Sequence, residues 1–208
     1  MMKKVILASG NKGKLSELQS YLTRLNIELV PQPKTAEYDV EETGTTFVEN
    51  AIIKARHAAK LSGLPAIADD SGLMIDALDF QPGVYTARYA GVGCSSQDNI
   101  DLILKNLKSY PDLEKRKATF ICVLVYMESA IDPLPVVSLG TWRGAIYPKM
   151  MGEGGFGYDP IFWDFKHQMT AAQMSKELKS ELSHRGEACR KLLDKLSARY
   201  KSLMAQSQ

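Results

Sequence analysis

Residues Ala118 to Met127 form a nearly continuous apolar run rich in residues that favour extended chain. A strand with one wet face would alternate apolar and polar side chains, so this run predicts a central strand covered on both faces. Elsewhere short apolar runs alternate with amphipathic ones. Val5 to Ala8 reads as a strand, Ser9 to Lys14 as a glycine loop, and Leu15, Leu18, Leu22 and Leu25 as the apolar side of a helix. Ile27 to Val30 reads as a second strand. Thr46-Phe47-Val48-Glu49 is a capping box, which starts a helix that ends at Ser62-Gly63. Its apolar side takes Val48, Ala51, Ile52, Ala55 and Ala59, and leaves Lys54 and His57 elsewhere on the surface. Ser96 or Asp98 caps a helix that carries Ile100, Ile103, Leu104 and Leu107. Gly140 and Gly144 interrupt Val136 to Tyr147, which suggests a hairpin or bulged pair. Ser183 caps a last helix with Ala188, Leu192, Leu196 and Tyr200 on one side.

A chain of 208 residues supports one sizeable domain, or one domain of two lobes. A net charge of +2 without a basic block argues against a nucleic-acid footprint. Cys94, Cys122 and Cys189 are odd in number and widely spaced, so neither a disulfide framework nor a zinc site is expected. The apolar run after Lys3-Lys4 is far too short for a signal peptide, and nothing approaches a membrane span. The expectation is a cytoplasmic protein without nucleic-acid or membrane partners.

Five polar constellations carry the candidate chemistry. Ser9, Gly10, Asn11, Lys12, Gly13 and Lys14 lead into a helix N-terminus, where backbone N–H groups and the helix dipole favour an anion, although a plain turn has the same composition. Glu41 and Glu42 precede the second helix and suit either its dipole or a shared metal. Asp69-Asp70-Ser71-Gly72 follows an apolar run; it reads as a turn, or as a strand end where one carboxylate faces a ligand. Four glycines among residues 152–157, with Phe156 and Tyr158 beside them, exceed what turn chemistry needs and favour a ligand loop. Lys179, His184 and Arg185 gather near the start of the last helix, as structural residues or as a recognition cluster.

In this order SGNKGK (9–14), EETGTTFVENAIIKA (41–55), LPAIADDSGL (64–73), PGVYTARYAG (82–91), GGFGYDPIF (154–162) and SHRG (183–186) span nearly the whole chain. The set closely resembles the inosine triphosphate pyrophosphatase family, especially its bacterial dITP/XTP branch. The resemblance implies an elongated α/β protein of one ITPase-like domain over residues 1–208. That fold has a mixed β-sheet flanked by helices and two lobes with a central active-site cleft, and it usually forms a homodimer. It also implies hydrolysis of ITP, dITP and XTP to the monophosphate and pyrophosphate with Mg²⁺. Carried over, Ser9 to Lys14 would bind triphosphate, and Asp70 would be proton acceptor and metal ligand with Ser71 beside it. Phe156, Gly157, Tyr158 and Asp159 would form the nucleotide loop, and Lys179, His184 and Arg185 would contact the substrate. Glu41 is assigned the second metal contact, with Glu42 as the alternative.

Overall fold

The structure is a computed structural model that describes residues 2–10 and 12–205, with the side chains of Lys12 and of residues 202–205 outside that description. Its elements are β1 (Lys3–Leu7), α1 (Lys12–Leu22), β2 (Ile27–Pro31), α2 (Phe47–Ser62), β3 (Ala66–Ile75), β4 (Pro82–Gly83) and α3 (Ser96–Asn106), then β5 (Lys117–Met127), β6 (Val136–Ile146), β7 (Phe162–Asp164), β8 (Met169–Thr170), α4 (Lys176–Leu182) and α5 (His184–Ala205). The strands form a mixed sheet in the order β2-β1-β3-β5-β6-β7-β8, with β4 paired to β3. β1 runs parallel to β2 and β3, whereas β7 is antiparallel to both β6 and β8. This is a mixed α/β fold with helices flanking a central sheet.

Two compact units share the chain. The first holds the residues up to Asp70, Cys122–Gly140 and those from Glu187 onward; the second holds Ser71–Ile121 and Thr141–Gly186. Each has its own core. In the first, Val5, Leu7, Leu18, Leu22, Leu124 and Leu192 pack together, and in the second Leu73, Ile100, Ile103, Phe120, Trp142 and Phe162 do so. Full burial of one such side chain stabilises by about 1.5–3 kcal/mol, so the apolar pattern of the strands and helices settles most of the fold. β5 is buried along nearly its whole length, as its composition predicts.

Four local expectations need correction. Asp69 to Gly72 lie inside β3, not in a turn, because the strand runs on unbroken to Ile75. Gly140 and Gly144 do not split their segment, which is one continuous strand; a Cβ on Gly144 would sit 2.3 Å from the Trp163 carbonyl oxygen, so its glycine serves close strand packing. The α3 cap is Ser95, which accepts from the Asp98 N–H and closes a capping box with that residue. In α2 the buried residues are Asn50, Ala51, Ala55, Ala58 and Ala59, while Val48 is exposed.

The last helix is matched to a strand by geometry. Lys191, Lys195 and Arg199 of α5 donate to the carbonyls of Leu139, Val137 and Leu134 at 2.9, 2.7 and 3.1 Å. Four helical residues rise about 6.0 Å and two strand residues about 6.6 Å, so Lys191 and Lys195, one turn apart, meet the alternate carbonyls of Leu139 and Val137, while Arg199 reaches Leu134 just before β6. β6 pairs with β7 at Ala145 and Ile146, and the two lysines occupy acceptors earlier in the strand.

In the second unit Arg116 closes the end of α3. It is buried and donates to the carbonyls of Ile146, Leu107 and Tyr110 at 2.6, 3.3 and 3.2 Å. Burial holds its guanidinium below the usual arginine range. A cation beside a helix C-terminus is favoured by the dipole, and no other donor replaces three at once. Arg116→Met is expected to lose about 2–4 kcal/mol of stability, read as a lower urea midpoint at unchanged slope.

Candidate active site

In the first unit the glycine loop, the acidic segment and Asp69 of the aspartate pair converge on one cavity. β1 ends at Leu7, half-buried Ser9 and exposed Gly10 follow, and α1 starts at Lys12 with Gly13 and Lys14 in its first turn. Asn11 lies outside the described residues. A cavity of about 300 Å³ opens here, lined by Ser9, Lys14, Tyr38, Glu42, Lys54 and Asp69 among others. The helix N-terminus supplies backbone donors and positive potential at its edge.

Strand alternation directs the two aspartates to different partners. Asp69 Oδ1 accepts from Lys14 Nζ at 2.5 Å, and its Oδ2 lies 3.5 Å from the buried Cys122 thiol. Asp70 Oδ1 accepts from Lys54 Nζ at 2.6 Å, and the same ammonium reaches Glu42 at 2.8 Å. Lys54 was expected on the open helix surface but is largely buried, because carboxylates from two flanking segments fold over it. The signal that would have revealed it was its position between the Glu41-Glu42 and Asp69-Asp70 pairs. Glu41 is exposed, so of the two glutamates it is Glu42 that stands on Lys54 beside Asp70.

The electrostatics single out Asp70. Burial raises its carboxyl, Lys54 pulls it back down, and Glu42 and Asp69 push it up again, leaving it at about 6. Burial pulls Lys54 down, but the charges and hydrogen bonds of Asp70 and Glu42 outweigh this and leave its ammonium above the ordinary lysine value. Asp70 Oδ2 is buried with no hydrogen-bond partner. A buried, unused carboxylate oxygen beside a second carboxylate fits a divalent cation. Among the described residues no three His, Cys, Asp or Glu side chains are grouped to hold a metal alone. One or two carboxylates can hold such a cation when water and substrate phosphates supply the remaining ligands.

The second unit presents a flat ring between cations. Phe156 is 57 % exposed, with Lys179 Nζ 5.0 Å and the Arg185 guanidinium 5.4 Å from its ring centre. Asp159 anchors the loop: its Oδ2 accepts from the Phe156 N–H at 2.7 Å and pairs with Lys179. Gly155, at φ +75°, is required because a Cβ there would lie 2.0 Å from the Asp159 carboxylate. Gly157 also has positive φ, and Tyr158 is buried and donates to the Thr86 carbonyl at 2.7 Å. His184 stacks on Phe120, with ring centres 4.7 Å apart and planes at 15°. Arg185 is buried and reaches the Ser71 hydroxyl at 3.5 Å. Lys179, Arg185, Phe156, Asp159 and Ser71 therefore form one connected set, with His184 next to Arg185 at the start of α5.

A carboxylate and lysine centre next to a helix N-terminus, and an aromatic ring under two cations, mark an α/β protein equipped for a nucleotide. The chain belongs to the Ham1 family, whose model matches residues 5–195. It is 53 % identical over 195 residues to the dITP/XTP pyrophosphatase of Pectobacterium atrosepticum, covering 94 % of this chain and 98 % of that one. Its identity to the dITP/XTP pyrophosphatase of Escherichia coli K12 is 51 % over the same shares. Among solved structures, a HAM1 protein from Coxiella burnetii aligns with TM-score 0.89 and 48 % identity over 95 % of this chain and all of that one. A nucleoside-triphosphatase / dITP/XTP pyrophosphatase from Mycobacterium abscessus aligns at 0.71 with 39 % identity, over 94 % of this chain and 96 % of that one.

Proposed function

We propose that this protein hydrolyses the non-standard purine nucleoside triphosphates ITP, dITP and XTP to the monophosphate and pyrophosphate, removing them from the nucleotide pool before incorporation into DNA or RNA. The observation that carries this reading is Asp70, buried against Lys54 with its carboxyl raised to about 6 and one oxygen uncommitted. A base near that value is ionised at neutral pH yet basic enough to take a proton from water.

The chain's own groups divide the work. Asp70 orients the attacking water and accepts its proton on the carboxylate. Lys54 favours the ionised form of Asp70, and Lys14 with the N–H groups at the start of α1 holds the triphosphate. Asp70 and Glu42 would hold Mg²⁺, which when bound neutralises phosphate charge and polarises phosphorus. In the second unit Phe156 offers a face for the purine, and Lys179, His184 and Arg185 offer donors. A 6-oxo purine accepts from such donors, whereas the 6-amino group of adenine leaves them unpaired. In keeping with the family resemblance, the protein would act as a homodimer in the cytoplasm. No helix among the described residues is long and apolar enough to cross a membrane.

Hydrolysis of ITP with Mg²⁺ in ¹⁸O-water tests the reaction. Attack at the α-phosphorus releases pyrophosphate and places the label in IMP. Release of orthophosphate, or faster turnover of dTTP or UTP than of ITP, overturns the reading.

A further inference from the structure

Three successive backbone N–H groups before α2 are taken by side chains of that helix. Thr45 and Thr46 donate to Glu49 Oε2, both at 2.9 Å, and Gly44 donates to Asn50 Oδ1 at 2.8 Å. The Thr46 bond to Glu49 belongs to the capping box. The Asn50 bond does not, and it has a different character. Asn50 is fully buried, and its Nδ2 has no hydrogen-bond partner. Flipping the amide would set a donor against the Gly44 N–H, so the Gly44 bond fixes the orientation and leaves Nδ2 the unpaired atom. A leucine of similar size would avoid burying an unpaired donor. Holding the Gly44 backbone is what the amide contributes in exchange.

The position of that bond gives it a function. Asn50 and Lys54 are four residues apart on α2 and so share a face. Asn50 fixes Gly44, and Lys54 bonds Glu42, two residues earlier, as well as Asp70. The contact is tight: a Cβ on Gly44 would lie 2.7 Å from Asn50 Oδ1 and 2.6 Å from Glu49 Cβ. We infer that Asn50 is a positioning residue for the reaction, fixing the backbone of the acidic segment so that Glu42 stands beside Asp70 to share a divalent cation. This deepens the proposed function and rests on it for its catalytic consequence.

The test pairs hydrogen exchange with kinetics. In Asn50→Ala, amides 41–46 of the metal-free protein are expected to exchange faster while those of residues 55–62 stay protected. In the same variant the Mg²⁺ concentration for half-maximal ITP hydrolysis is expected to rise about tenfold and kcat to fall about tenfold or more, as for groups that orient a metal ligand. KM for ITP at saturating Mg²⁺ should change less than about threefold, since Asn50 holds no part of the substrate. Gly44→Ala keeps Asn50 and displaces the segment from the other side, so it carries the test if Asn50→Ala does not fold; it should raise the Mg²⁺ requirement too. Combining the two changes should be non-additive. A Mg²⁺ midpoint within about twofold of the parent in a folded variant whose Gly44 amide has been released overturns the inference. If the parent releases no pyrophosphate from any purine triphosphate, the proposed function fails. The placement of the segment by Asn50 is then decided by exchange alone, and unchanged exchange overturns it.

Discussion

Asp70→Asn is expected to lose about a thousandfold in kcat for ITP while becoming more stable than the parent at neutral pH. The catalytic loss follows from removing the proton acceptor, and ITP affinity should stay within about several-fold because Lys14 and the α1 N-terminus are untouched. The stability gain follows from the raised carboxyl. A carboxyl at about 6 in the fold and 3.8 in the open chain binds its proton more tightly when folded. Its contribution to stability is therefore full below the lower value and lost as pH rises through the higher one. At about pH 7.5 the ionised Asp70 costs about 3 kcal/mol relative to a neutral side chain, and asparagine removes that cost. At about pH 4.5 the advantage shrinks to about 1 kcal/mol. Urea unfolding of both metal-free proteins at the two pH values measures it. A variant less stable than the parent at neutral pH would show that the Lys54 pair outweighs burial.

Lys54→Met should move the acid limb of kcat/KM to higher pH by about 1–2 units. Lys54 is the nearest cation to Asp70 and lowers its carboxyl, whereas Glu42 and Asp69 raise it. Without the ammonium only burial and like charge remain, so the base ionises later. At about pH 7 the variant should lose ten- to a hundredfold in kcat/KM and recover part of it by about pH 9. Because kcat/KM reports the free enzyme, the comparison applies to the ligand-free site described above. If Lys54 served only to bind phosphate, KM would rise with an unmoved pH midpoint, and the pH profile separates the two roles.

These residues also show what could be read from the chain. α2 was legible because a capping box and the Gly63 stop are local signals, each made by residues within one turn. The continuous β5 was legible from composition alone. The Asp69-Asp70-Ser71-Gly72 segment misled because turn-forming residues sit inside a strand, where pairing and burial in a sheet override local preference. Gly144 misled for a related reason, since the carbonyl it accommodates belongs to Trp163. At the candidate site, the motifs pointed to Asp70, Lys14 and the Phe156 loop. They did not reveal that Lys54 joins Glu42 to Asp70 or that Lys179 pairs with Asp159, because those bonds link segments 12, 16 and 20 residues apart. Asn50 was invisible for another reason, since its partner Gly44 is only six residues away. A buried amide within an alanine-rich face reads as an imperfection of the pattern until the Gly44 N–H is placed against it.

The ladder of Lys191 and Lys195 along β6, continued by Arg199 on the segment just before it, bears on how the chain tolerates change in its last helix. A strand with unoccupied carbonyls is a template for another molecule's backbone, and here flexible cationic side chains occupy that template without presenting the matching row of amides. Loss of the final helix would thus expose a sticky ribbon as well as remove part of a core. Charge-neutralising changes at those three positions would weaken solubility before they weakened catalysis.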